Sequence, residues 1–303
     1  MSETKLHAAQ EWMYFKLYLG PYTDRAEQML VNLAQLVESR PVFARWFYIR
    51  YFDETGMHFR IRFQSADVPA ARAAAQSIFA ILFKDMAKYA PSEHRPMVTP
   101  PGTDPAQAAS FMAKGKQRVV EDTYEPEYDK YGGPLGLPIA EELFRKSSRI
   151  AVAILADEAA GHYSRKTLVP CLMRACHEAF VPAPAAAFWN RYSLFWLGGD
   201  SPAANDWLQK FRRKGEELRH AGFQVCVPDR DLHPRALEVL NRWRAAVAEA
   251  KAAYDATQGR TGAIPDVLCF NFVHMMNNRL GMTSLEEPYM AALLQQSEMK
   301  EAA

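Results

Sequence analysis

His58-Phe59-Arg60-Ile61-Arg62-Phe63 alternates polar and apolar residues without a break, which is the period of a half-buried β-strand. One face then carries His58, Arg60 and Arg62, and the other Phe59, Ile61 and Phe63. Successive members of the cationic row stand about 7 Å apart, close enough for two guanidinium forks to grip one carboxylate or phosphate. The same alternation also fits an open sheet with one wet face. The preceding strand, Arg45-Trp46-Phe47-Tyr48-Ile49-Arg50-Tyr51-Phe52, weighs against that second reading. Phe47, Ile49 and Tyr51 read as its core face. Trp46, Tyr48, Arg50 and Phe52 read as the face beside the arginines, too aromatic to be left in water. A cationic row next to an aromatic row predicts a partly enclosed cleft that receives an anion. Asp53-Glu54-Thr55-Gly56-Met57, between the two strands, has the composition of a hairpin loop.

Outward from the hairpin, Trp12 to Leu19 reads as a first strand, ended by Gly20-Pro21-Tyr22. Thr23 or Asp24 is expected to cap a helix running to about Ser39, with Ala26, Met29, Leu30, Leu33, Leu36 and Val37 as its apolar stripe. Asp67-Val68-Pro69 opens an alanine-rich helix to about Tyr89, capped by the aspartate with proline in the first turn. Pro91 to Lys116 reads as a long surface loop, and a further strand is expected near Gln117 to Tyr124. Beyond it helical periodicity dominates, over Ile139–Ala156, Arg165–Glu178, Ala203–Ala221, Pro234–Gln258 and Ile264–Leu280. The expected fold is α+β. An antiparallel-containing sheet of β-α-β-β-α order fills the N-terminal half and packs with a mainly helical C-terminal half. With no linker in evidence, residues 1–303 read as one domain, sheet-rich over about 11–124 and helical over 125–303.

Thirty-six Lys and Arg against thirty-five Asp and Glu give a net charge of +1, so no whole-chain field points to nucleic acid or a membrane. A partner has to be recognised locally. Cys171, Cys176, Cys226 and Cys269 lack Cys-x-x-Cys spacing and lie in apolar surroundings, as buried free thiols do. There is no signal-like opening and no apolar run of membrane-spanning length, so a cytoplasmic protein is expected. Walker, Gly-x-Gly-x-x-Gly and Gly-x-Ser-x-Gly patterns are missing, as is a His-x-x-x-His pair, and no cofactor or metal is expected.

Two further groups bear on chemistry. Glu127, Lys130 and Tyr131 lie in a turn ending Gly132-Gly133-Pro134, where two glycines permit unusual backbone angles and close approach of a neighbour. The turn either presents these side chains at a cleft mouth or is a plain strand-to-helix connection with solvated charges. Further on, Asn271, His274 and Asn278 fall on one face of a helix that Gly281 would terminate. The asparagines either satisfy a buried imidazole or fix its tautomer as a positioned acid or base.

Five blocks together resemble the C-terminal, elimination-type domain of lantibiotic dehydratases, a family also known from thiopeptide biosynthesis. They are Trp12-Met13-Tyr14-Phe15-Lys16-Leu17-Tyr18, Trp46-Phe47-Tyr48-Ile49-Arg50-Tyr51, the His58 hexapeptide, Tyr124 to Gly133, and His274-Met275-Met276-Asn277-Asn278-Arg279-Leu280. They occur in family order and span residues 11 to 280. The resemblance implies a stand-alone lyase that eliminates glutamate from glutamylated Ser or Thr of a precursor peptide, leaving dehydroalanine or dehydrobutyrine. It also admits a pyridine synthase joining two dehydroalanines by a formal [4+2] cycloaddition with leader release, or an idle leader-peptide-binding protein. It carries leaving-group arginines onto Arg60 and Arg62, an acidic loop residue onto Glu127 and an acid/base histidine onto His274. Lys130 stands where eliminating members have Arg, and lysine lacks the planar two-pronged fit to a carboxylate. Arg50, Trp46, Tyr48, His58, Tyr131 and Asn278 are the expected substrate-binding residues, with Arg60, Arg62 and His274 in one cleft. The implied partners are the precursor peptide, a separate glutamylating enzyme and a second copy in a homodimer.

Overall fold

The computed structural model describes residues 10–92, 104, 106, 115–181 and 185–301. The described chain forms two compact units that divide between residues 125 and 126. The first unit runs β1 (Glu11–Tyr18), α1 (Ala26–Glu38), β2 (Arg45–Asp53), β3 (Gly56–Ser65), α2 (Val68–Met86) and β4 (Arg118–Asp122). Its four strands are antiparallel in the order β2-β3-β1-β4, the split β-α-β arrangement of ferredoxin-like folds. The expected α+β class and its antiparallel sheet are therefore observed. The expected loop from Pro91 to Lys116 falls mainly outside the described residues.

Phe59, Ile61 and Phe63 are wholly buried, and Phe63 packs on Phe79 of α2, which also meets Phe15 of β1. That face of the sheet is the hydrophobic core under the two helices. Asp67 caps α2 as expected, its carboxylate accepting the Ala70 N–H at 3.0 Å, with proline in the first turn. Thr23 and Asp24 do not cap α1. They form a single 3-10 turn, Thr23–Arg25, and α1 begins at Ala26 without a side-chain cap. The Asp24 carboxylate is engaged instead by the Ser92 hydroxyl.

The register corrects the assignment of β2. Trp46 pairs with Phe63, Tyr48 with Ile61 and Arg50 with Phe59, and residues directly opposite in an antiparallel pair point to the same side. Trp46, Tyr48 and Arg50 therefore lie on the core face, and Phe47, Ile49 and Tyr51 lie beside the arginines. Burial of Arg50 is compensated by Glu27 of α1, which accepts from its Nη1 at 2.9 Å.

The second unit is helical: α3 (Tyr128–Tyr131), α4 (Gly133–Ala159), α5 (Arg165–Phe180), α6 (Ala185–Trp196), α7 (Pro202–His220), α8 (Pro234–Ala256), α9 (Pro265–Leu280) and α10 (Glu286–Glu301). α8 packs on α4 and α5, α9 packs on the same two helices, and α10 packs against α6 and α7. The predicted helices are present. α6 and α10 are additional to the expected helices. Gly132 and Gly133 have φ of +82° and +70°, and a Cβ on Gly132 would meet the Thr261 and Ala263 side chains at 2.8 and 2.9 Å. No helix of the described residues is long and apolar enough to cross a membrane.

Candidate functional site

In the first unit, β1 and β3 pair Tyr14 with Arg62, Lys16 with Arg60 and Tyr18 with His58, so these six side chains share the sheet face opposite the helices. Aromatic rings support the guanidinium groups. Arg60 lies 3.5 Å over the Tyr51 ring, and Arg62 lies among Tyr14, Phe47 and Tyr124 at 4.6, 5.4 and 5.3 Å. Stacking occupies the flat faces of the guanidinium groups and leaves their in-plane N–H edges as the directions from which a carboxylate is gripped. The buried Nε of Arg60 has no hydrogen-bond partner among the described residues.

The neighbours of the row keep the positive charge on the arginines. Burial pushes the Tyr14 phenol above its ordinary value despite the opposing pull of Arg60 and Arg62, so it stays protonated. His58 is wholly buried, and its Nδ1 lies 3.1 Å from the Gly56 carbonyl. Burial, together with the charges of Arg60 and Lys16, holds its imidazole below the usual range. His58 is thus a neutral packing residue between the Tyr18 and Tyr51 rings, and the cationic row consists of Arg60 and Arg62. Lys16 beside them is bound to Asp122 at 2.6 Å.

In the second unit, α9 carries His274 and α10 carries a carboxylate that turns it into a dyad. Gly281, at φ +75°, closes α9, and Thr283 and Glu286 form a reciprocal capping box that starts α10. This tight corner brings Glu287, in the first turn of α10, back to α9. Its oxygens lie 3.1 and 3.2 Å from His274 Nδ1. The carboxylate also accepts the Tyr192 hydroxyl at 2.5 Å and the Asn277 amide at 3.4 Å. Burial first, then the Glu287 charge, push the Tyr192 phenol well above its ordinary value, so it remains a donor. With Nδ1–H donating to Glu287, Nε2 of a neutral His274 is the nitrogen able to take a proton. The Glu287 side chain is 3 % exposed and that of His274 23 %. The imidazole is therefore reachable while its carboxylate partner is sealed. Trp196 lies 4.4 Å from the imidazole and stacks on Phe270, adding an aromatic wall.

Asn271 donates to the Val267 carbonyl at 2.9 Å, and the hydrogen-bond partner of His274 Nδ1 is Glu287. Tyr131 is a packing residue, 2 % exposed and stacked on Phe272, with its carbonyl accepting the Tyr254 hydroxyl at 3.1 Å. Glu127 and Lys130 are more than half exposed and bound to each other at 2.5 Å. Among the described residues, no cluster of three or more His, Cys, Asp or Glu side chains could hold a metal ion.

These features match a known sequence pattern. Residues 12–297 fit the profile of the family described as "Lantibiotic biosynthesis dehydratase C-term". The chain belongs to this family. Among solved structures, it is similar to the tRNA-dependent lantibiotic dehydratase MibB from Microbispora sp. 107891, with 20% identity and a TM-score of 0.62. The match covers 100% of this chain and 29% of MibB, so the chain spans less than a third of that relative. It is also similar to TbtD, a pyridine synthase from thiomuracin biosynthesis, with 14% identity, a TM-score of 0.65 and coverage of 96% of this chain and 98% of TbtD. A third similar structure is TsrL, with 16% identity, a TM-score of 0.60 and coverage of 97% and 96%. At these identities the likeness is one of fold. Among curated proteins, none matches the chain.

Proposed function

We propose that this protein is a lyase of ribosomal peptide natural-product biosynthesis that eliminates glutamate from glutamylated Ser or Thr of a precursor peptide. The reading is carried by the His274–Glu287 dyad. Elimination needs a base held in one tautomer, whereas a cycloaddition between two dehydroalanines asks mainly for shape. His274 Nε2 would take the Cα proton of the glutamylated residue. The electron pair then forms the Cα–Cβ double bond as the Cβ–O bond breaks, and glutamate leaves as its carboxylate. In the first unit, Arg60 and Arg62 offer guanidinium groups of the kind that bind a carboxylate such as glutamate. The products are dehydroalanine, or dehydrobutyrine from threonine, and free glutamate.

Pyridine synthesis remains the second reading. Lys130 in place of arginine weakens a carboxylate clamp, and the Trp196–Phe270 wall suits a bent, dehydrated peptide. A peptide bearing a glutamyl ester on serine, and a second bearing two dehydroalanines, separate the readings by mass spectrometry. Elimination predicts loss of glutamate from the first and no change in the second. Pyridine formation from the second with no loss from the first would replace the lyase by the cyclase.

A further inference from the structure

Three exposed apolar side chains of the second unit gather on one side of His274. Phe195 of α6 is 60 % exposed, Ile264 at the start of α9 is 61 % exposed and Val267 44 %. Ile264, Val267, Asn271 and His274 recur at spacings of three and four, so they form one stripe along α9. Half-buried Phe270, four residues before His274, lies beside that stripe. Phe195 meets Phe270 edge-on at 4.9 Å, Phe270 stacks on Trp196 at 6.4 Å, and Trp196 lies 4.4 Å from the imidazole. The exposed side chains are therefore continuous with the aromatic wall of His274.

Single apolar side chains on a surface are ordinary, whereas contiguous ones with a polar rim mark a surface that receives a partner. The rim here is the ion pair of Arg191 and Asp266, which stand one turn before Phe195 and Phe270 and tie α6 to α9. Asn271 supplies a polar contact inside the track. Its Nδ2 donates to the Val267 carbonyl at 2.9 Å, and its Oδ1, with no partner among the described residues, can accept a peptide N–H. The dimensions suit an extended chain. Helix rise puts Phe270 about 6 Å, Val267 about 10 Å and Ile264 about 15 Å along the axis from His274. An extended peptide points alternate side chains to one side, so the second and fourth neighbours of a residue at His274 fall about 7 and 13 Å away, over this track.

We propose that the track of Phe195, Phe270, Val267 and Ile264 is a specificity subsite for an extended segment of the precursor peptide, taking apolar side chains two and four residues from the reacting residue. The assignment rests on the reading of His274 as the group that meets the reacting residue.

Binding is tested by fluorescence anisotropy on the full-length protein with short labelled peptides carrying an unmodified central serine in a glutamine background, so the readout needs no elimination. Two peptides carry phenylalanine at the second and fourth positions, before the serine in one and after it in the other. A control of the same composition carries them at the second and third positions, on opposite sides of an extended chain. One of the first two should bind on the order of tenfold tighter than its control. Phe195→Ala and Val267→Asp, with unchanged circular dichroism, should each weaken the favoured peptide and shrink that difference. In glutamyl-ester versions, moving the phenylalanines to the first and third positions should lower kcat/KM, because the serine then misses His274. Equal binding of all peptides, or a preference that survives both substitutions, would overturn the subsite. A wild-type dimer that Val267→Asp dissociates would also overturn it, since a second copy would then cover the track. Glutamate release without the preference would remove the subsite and leave the elimination standing, and the preference without glutamate release would do the reverse.

Discussion

Replacing Glu287 by glutamine keeps the shape of the site and removes its charge. Three donors converge on the carboxylate: the Tyr192 hydroxyl at 2.5 Å, His274 Nδ1 at 3.1 Å and the Asn277 amide at 3.4 Å. A hydrogen bond to a charged acceptor contributes about 1.5–3 kcal/mol and a neutral one about 0.5–1.5 kcal/mol. Converting the two shorter bonds from charged to neutral therefore costs about 2–3 kcal/mol of stability, read as a lower urea midpoint at unchanged slope. The side chain is sealed, so solvent does not soften this figure. The effect on activity has a separate cause. A glutamine NH₂ group facing Nδ1 makes that nitrogen an acceptor and moves the ring proton to Nε2, blocking the atom assigned to proton abstraction. Glutamate release in a single turnover should fall on the order of a hundredfold or more. Nitrogen-15 chemical shifts of the imidazole should report the inverted tautomer. Wild-type turnover in a variant whose tautomer has inverted would refute the role given to Nε2.

Lys130→Arg restores a two-pronged guanidinium and should preserve or raise glutamate release, whereas Lys130→Ala should lower it while changing stability by less than about 1 kcal/mol, because the Glu127 pair is exposed. His58 is held neutral by burial, so below its ordinary value of 6.5 the unfolded chain binds more protons than the folded one and stability falls as pH falls. Denaturation at pH 7.5 and pH 5 should show this loss, and His58→Gln should make it smaller. Buried His177, also held below its usual range, supplies a remaining part. Gly132→Ala forces φ of +82° on a side chain that meets Thr261 and Ala263 below 3.0 Å, and should lower thermal stability by about 1–3 kcal/mol.

The β3 hexapeptide was legible because only one of its faces is apolar, and the helix containing His274 because Gly281 marks its end. β2 misled for the opposite reason. Both its faces carry aromatic residues, so composition could not tell which one meets the helices, and only pairing with β3 decides it. The pairing of β4 with β1 is a contact across the whole of the first unit, which local pattern cannot supply. α10 was missed because Met290, Ala291, Ala292, Leu293 and Leu294 are buried in succession, leaving no amphipathic stripe. Yet Thr283-Ser284-Leu285-Glu286 is a capping-box signature that announces a helix start. Followed through, it would have placed Glu287 one turn from the His274 helix and found the orienting carboxylate.

The most direct test measures single-turnover glutamate release from a serine glutamyl-ester peptide by the wild-type protein and His274→Ala, with peptide affinity determined on the same samples. The proposed mechanism predicts dehydroalanine and free glutamate from the wild type. His274→Ala should lose on the order of a hundredfold or more in rate, with affinity unaltered. A wild-type protein that binds the peptide without releasing glutamate, or a His274→Ala variant with unchanged turnover, would contradict it.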